Sequence, residues 1–147
     1  MLPRWHIFWG FVFIAIFKML VPGTQYIDLF LIWFASVFID FDHYLSTIIK
    51  TKKLGFRHAL RHNYEMRQQA IQIKQQKDIC RKGDFHIFHT VECHLTVGLL
   101  GIAFAPFFFL FIGMVLHSTL DIIWMVRHDI LQSREFFLFN KLRMIFF

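Results

Sequence analysis

The chain has 147 residues, of which 56% are apolar and 21 are phenylalanine. That length leaves room for one domain, and the phenylalanine content lies far above soluble usage; a soluble core of this size needs no run such as Pro106-Phe107-Phe108-Phe109-Leu110-Phe111. The net charge of +6 argues against a nucleic-acid partner, because ten of the sixteen Lys and Arg fall in residues 50–82 and four more in 127–143, the clustering of positive-inside loops beside anionic lipid headgroups. Cys80 and Cys93 form no disulfide framework, and the first apolar run has no small-residue cleavage site of a signal peptide.

Residues 5–21 are the first predicted span, near the lower limit for crossing ~30 Å of hydrocarbon. Trp5 and Trp9 suit an interfacial aromatic belt, and Lys18 is expected to snorkel or to pair with Asp28. Pro22-Gly23-Thr24-Gln25 reads as a tight turn into a second span, residues 27–49, taken as one helix. Inside it stands Asp40-Phe41-Asp42-His43. An ionisable group near mid-bilayer costs roughly 2.5–3.5 kcal/mol, so these three side chains need partners, and a metal ion is the simplest single one.

Residues 50–84 form the one substantial polar segment, basic and Gln-rich, with Leu60, Tyr64, Ile71 and Ile79 too thinly spaced for a core; helices at the membrane surface are expected. His58 and His62 have the i, i+4 spacing of a chelating pair, and beside Arg57 and Arg61 they equally suit a solvated basic helix. The third predicted span is 85–105, with Asp84 as its N-cap, and the fourth is 107–126 beyond the break at Pro106. Gly98, Gly101 and Gly113 allow close helix approach. Residues 127–147 read as an amphipathic surface segment. The expected fold is therefore all-α: an integral membrane four-helix bundle, one polytopic domain over 1–147. Both termini and the 50–84 loop are placed on the cytoplasmic side, since neither short turn carries Lys or Arg.

Depth links the polar residues. At 1.5 Å per residue, Asp40 to His43 lie roughly 9–14 Å inside the cytoplasmic end of the second span, and His117 and Asp121 roughly 8–14 Å inside that of the fourth. His89 and Glu92, at i and i+3, lie one to two turns into the third. Imidazoles and carboxylates at one depth suit Zn²⁺, Mn²⁺ or Fe²⁺, and their excess allows a second ion or orienting carboxylates. Asp40 and His43 stand about 60° apart on a helical wheel, whereas Asp42 points elsewhere unless the helix is distorted. A proton relay or buried ion-pair network without metal is the rival reading. His94 is expected to pack between helices, His6 and His128 to be interfacial, and His86 is ambiguous.

The order of these motifs resembles the small membrane-bound metal-dependent hydrolases, a family that includes a LexA-regulated inner-membrane protein of bacteria and archaeal members. That pattern is Asp-x-Asp-His late in an early helix, a His motif opening a later helix, and His-x-x-x-Asp in the next. Asp40-Phe41-Asp42-His43, Phe88-His89-Thr90-Val91-Glu92 and Leu116-His117-Ser118-Thr119-Leu120-Asp121 stand in those places. The chain departs from the bacterial His-Arg-x-x-Thr-His-Ser: Asp84 falls at the first His, Phe85 at the Arg and Thr90 at the Ser, leaving His89 as the matched residue.

The expected function is metal-dependent hydrolysis of a phosphoester or lipid headgroup at the cytoplasmic face. Asp40, His43, His89, His117 and Asp121 are the expected ligands of a divalent ion, Zn²⁺ first. Glu92 or Asp42 is the expected general base, and Arg57, Arg61 and Arg81 the expected hold on an anionic headgroup. Membrane lipids are the expected partners, with a homo-oligomer allowed. The alternatives are a metal-ion or proton transporter or channel subunit, a metal-stabilised scaffold without turnover, and a lipid amidase resembling the intramembrane ceramidases. No phosphate-cradling glycine loop or nucleophile elbow is present.

Overall fold

The computed structural model describes residues 3–79, 85–140 and 143. Among them every regular element is helical: α1 (Pro3–Leu20), α2 (Tyr26–Phe38), α3 (Phe41–Thr51), α4 (Phe56–Lys77), α5 (Val91–Ala103) and α6 (Ala105–Arg127), with 3₁₀ turns at Ile87–His89 and Leu131–Ser133. The chain groups into two compact units, Met1–Ile39 with Glu92–Asp121 and Asp40–Val91 with Ile122–Phe147.

The first unit is built on α1, α2, α5 and most of α6, and close backbone approach holds it together. A Cβ added at Gly10 would stand 2.8 Å from Ser36 Oγ, one at Gly101 2.8 Å from the Phe108 main chain, and one at Gly113 would collide with the Ile32 carbonyl. Small residues at these crossings let the helix backbones approach closely. Leu29, Ile32, Ala35 and Met114 fill the interior, together with the polar His6, Ser36, His117 and Asp121, while Met19, Leu20, Ile102 and Phe108 face outward. Lys18 does not pair with Asp28: its Nζ donates to the Pro22 and Thr24 carbonyls, both at 2.7 Å. Those carbonyls close the turn and are nearer than Asp28, whose carboxylate accepts from the Gln25 N–H at 3.3 Å and caps α2.

Among the described residues two stretches are long and apolar enough to cross a membrane, Tyr26–Thr51 with 26 residues and Ala105–Arg127 with 23; Val91–Ala103 is apolar but shorter. The first stretch is not one helix. α2 stops at Phe38, Asp40 takes the N-cap position of α3, and the His43 N–H bonds the Asp40 carbonyl at 3.1 Å. The Asp40 side chain makes no cap bond, but Asp42 falls in the first turn of α3, where the helix dipole favours a negative charge. The helix of the predicted third span likewise begins only at Val91. His86 and Thr90 are extended on either side of the 3₁₀ turn, and Thr90 Oγ1 bonds the Ile87 carbonyl at 2.8 Å, a local bond that competes with helix.

Polar tethers hold the second unit. Thr47 Oγ1 donates to Asn63 Oδ1 at 3.0 Å between α3 and α4, and Tyr44 Oη donates to the Leu54 carbonyl at 3.0 Å. Lys74 on α4 reaches Asp78 at 2.7 Å and Asp129 at 3.2 Å, Arg67 lies over the Trp124 ring, and the Val91 N–H bonds the Phe136 carbonyl at 2.9 Å. The expected surface helix α4 is thus tied to the segment that follows α6. Of the predicted amphipathic tail, residues 141, 142 and 144–147 lie outside the described residues, as do Cys80, Arg81 and Asp84.

Candidate metal centre

In the second unit, the break before α3 and the turn before α5 bring five metal-type ligands together: Asp40, Asp42, His43, His86 and His89. Asp42 Oδ2 accepts from the Phe88 N–H at 3.1 Å and from His89 Nδ1 at 3.2 Å. His89 Nδ1 donates to Asp42, and the other ring nitrogen, Nε2, lies 3.7 Å from Asp40 Oδ1. The same oxygen faces His43 Nε2 at 3.5 Å. Asp42 Oδ1 faces His86 Nδ1 at 3.6 Å. These separations exceed good hydrogen bonds and match the edges, about 3.4 Å, of a tetrahedron with metal bonds of ~2.1 Å. Asp42, His43 and His86 each offer a ligand atom, and the three atoms lie within 4.8 Å of one another. This buried aspartate–histidine group can hold a metal ion.

The first unit contains a second group of similar design. His117 and Asp121 lie one turn apart on α6, and His117 Nδ1 is 2.7 Å from the Ser36 carbonyl. A carbonyl only accepts, so Nδ1 carries a proton, and Nε2 lies 3.7 Å from Asp121 Oδ2. His6, expected at the interface, is wholly buried. It stacks on His117 with ring centroids 3.9 Å apart and its Nε2 is 3.3 Å from Asp121 Oδ1. Fixing a histidine tautomer through the far nitrogen is how metal ligands are oriented.

The other expected residues divide. Glu92 stands in the first turn of α5, but the α-helical face expected to carry both His89 and Glu92 is absent, because His89 precedes the helix. Arg57 is exposed; Arg61, also exposed, is ion-paired with Glu65 at 2.7 Å; Arg81 lies outside the described residues. His94 packs as expected, its Nε2 3.0 Å from Ser118 Oγ and 3.3 Å from the Met114 carbonyl. His58 and His62 stand with ring centroids 6.3 Å apart on α4. Sequence reasoning missed His6 and underrated His86. The depth count that linked the other histidines passes over His6, which stands in the first turn of α1, only about 1.5 Å inside the predicted span at 1.5 Å per residue. His86 shows its role only once the chain before α5 is seen not to be helical.

Compared with known proteins, the chain matches no family model, no curated protein and no solved structure.

Proposed function

We propose that the protein is a membrane-embedded metal-dependent hydrolase acting on a phosphoester or lipid headgroup at the cytoplasmic face. In this reading the chain crosses the membrane four times, with the 50–84 loop and both termini cytoplasmic. The observation that carries it is the pair of oriented imidazoles. His89 and His117 each spend Nδ1 on an oxygen acceptor and turn Nε2 toward a carboxylate at 3.7 Å. An imidazole nitrogen and a carboxylate oxygen held at that spacing can share one cation, and the ligand types suit Zn²⁺, Mn²⁺ or Fe²⁺. When bound, such an ion supplies Lewis acidity and brings a water toward pKa ~7. The chain's own residues do the rest. Asp42 fixes the His89 ring, Asp40 neutralises charge, and Glu92 or Asp42 takes the proton of the attacking water. Arg57 and Arg81 hold an anionic headgroup.

Metal content of the purified protein tests the centre, with wild type set against His89→Ala and His117→Ala. A lower metal content in both variants than in wild type is the expected result, and wild-type content in both would sink the assignment. Turnover is tested separately by headgroup release from phospholipid nanodiscs with metal and with chelator. Metal-loaded protein that releases nothing removes the hydrolase reading and leaves the metal-stabilised scaffold.

A further inference from the structure

We propose that the protein holds a second divalent ion, at Asp42, His43 and His86, and that this ion is the one that meets substrate. The inference rests on the hydrolase reading above and adds to it a catalytic ligand, His86, and a substrate class.

Ligand arithmetic comes first. The sequence assigns five ligands to one ion, Asp40, His43, His89, His117 and Asp121, while a structural tetrahedral site takes four. At least one of the five is therefore in excess, and within the second unit His43 lies beside two residues that the count omits, Asp42 and His86. Its ring centroid lies 3.6 Å from that of His86, and the two histidines and Asp42 bring one ligand atom each within 4.8 Å of the others. One carboxylate with two imidazoles is the donor set of catalytic zinc sites, in which three protein ligands leave the fourth position to water or substrate.

Asp42 is prepared for this role by its other oxygen. The Phe88 N–H and His89 Nδ1 both hold Oδ2, so the carboxylate cannot rotate, and Oδ1 is aimed at His86 Nδ1, 3.6 Å away. Ligating carboxylates are commonly fixed in this way by outer hydrogen bonds. Access points in the same direction. The His43 and His86 side chains remain 19% and 13% exposed, against 3% for His89. The buried histidine suits a closed site, and the two partly exposed ones suit an open site.

A pair of ions is the arrangement that stabilises both the attacking and the leaving oxygen of an in-line displacement. Such pairs serve amide as well as phosphoester hydrolysis; the ten Lys and Arg of residues 50–82 favour the anionic phosphoester. The oxygen of water forms the new P–O bond, the ester P–O bond breaks, and one water proton passes to the released alcohol.

The test is titration of Zn²⁺ into the metal-stripped, full-length protein in phospholipid nanodiscs, with bound metal counted per chain after desalting and phosphoester hydrolysis measured on the same samples. Wild type is expected to hold two ions. His86→Ala, and His86→Gln with its volume more nearly kept, are expected to hold one and to lose hydrolysis, the retained ion showing that the fold survives. One ion per wild-type chain, or two in both His86 variants, would overturn the second site while leaving the hydrolase reading standing. No bound ion in wild type would overturn both.

Discussion

In the unit formed by Met1–Ile39 and Glu92–Asp121, the imidazole and carboxylate that face each other sit on continuous helix. His117 and Asp121 are one turn apart on α6, and the group that orients the ring is a main-chain carbonyl, that of Ser36. In the unit formed by Asp40–Val91 and Ile122–Phe147, the equivalent pair sits on irregular chain. Asp40 lies at the break before α3, His89 lies in a 3₁₀ turn, and the orienting acceptor is a side chain, Asp42. The first design draws its precision from helix packing and the second from polar bonds between side chains. The two scaffolds should therefore fail under different substitutions.

The largest expected effect falls on the packed scaffold. Gly113→Ala puts a Cβ onto the Ile32 carbonyl and within 2.8 Å of the Ala35 Cβ. Main-chain atoms give less than the end of a flexible side chain, so a cost of about 3 kcal/mol, the upper range for overpacking, is expected. Thermal unfolding in detergent checks it against Gly23→Ala, which meets nothing within 4 Å and should leave the midpoint unchanged. Equal midpoints for the two variants would remove close helix approach as the basis of that unit.

The orienting groups give the next contrast. Asp42→Asn replaces a carboxylate oxygen that accepts from Phe88 and His89, and loss of an orienting partner typically costs ~10–100-fold in metal affinity. Ser36→Ala leaves the carbonyl that holds His117 in place and removes only the hydroxyl bond to the Trp33 carbonyl at 2.8 Å. Metal affinity should fall in the first variant and stay level in the second; equal losses would mean that the two anchors do not differ as the geometry says. A smaller effect follows for Thr47→Val, which strips the tether to Asn63 at about 1 kcal/mol. Thr119→Val loses only a bond within its own helix, to the Val115 carbonyl, and should be close to neutral.

The same difference decides what could be read from the residues alone. Spacing along a regular helix is periodic, so His117 and Asp121 were visible as one face, and the glycines at 101 and 113 as crossing points. The Asp40–Asp42–His43 motif was visible as an anomaly of charge, but its geometry was not. The apolar run from Leu29 to Ile39 passes Phe38 without a turn residue, so nothing before Asp40 marks the stop there. Only the requirement that Asp42 needs a distorted helix pointed that way, and the distortion is present. The residues before α5 were read as helix because they are apolar, yet the Thr90 hydroxyl bonds back to Ile87 and ends that continuity. His86 and His89 consequently reach Asp42 from a turn, in a register that no helical wheel contains.

The tether at Lys74 is the mildest of the polar bonds in the second unit and responds to pH. Its amine is raised above the ordinary value by hydrogen bonds to Asp78 and then Asp129, and the Asp78 carboxyl is lowered by the same bond to Lys74. A lowered carboxyl contributes stability that is present above its unfolded value and is lost as pH falls through the folded one. A raised amine contributes below its unfolded value and loses that contribution as pH rises through the folded one. Between these limits the tether is intact, so protection of α4 amides from hydrogen exchange should stay flat from neutral pH down to the ordinary carboxylate range and fall only below it. The carboxylates are largely solvated, so salt should shrink the effect. Lys74→Met should abolish the acid-side fall while leaving the metal groups of both units untouched. An unchanged acid-side fall in that variant would place the pH response in other carboxylates.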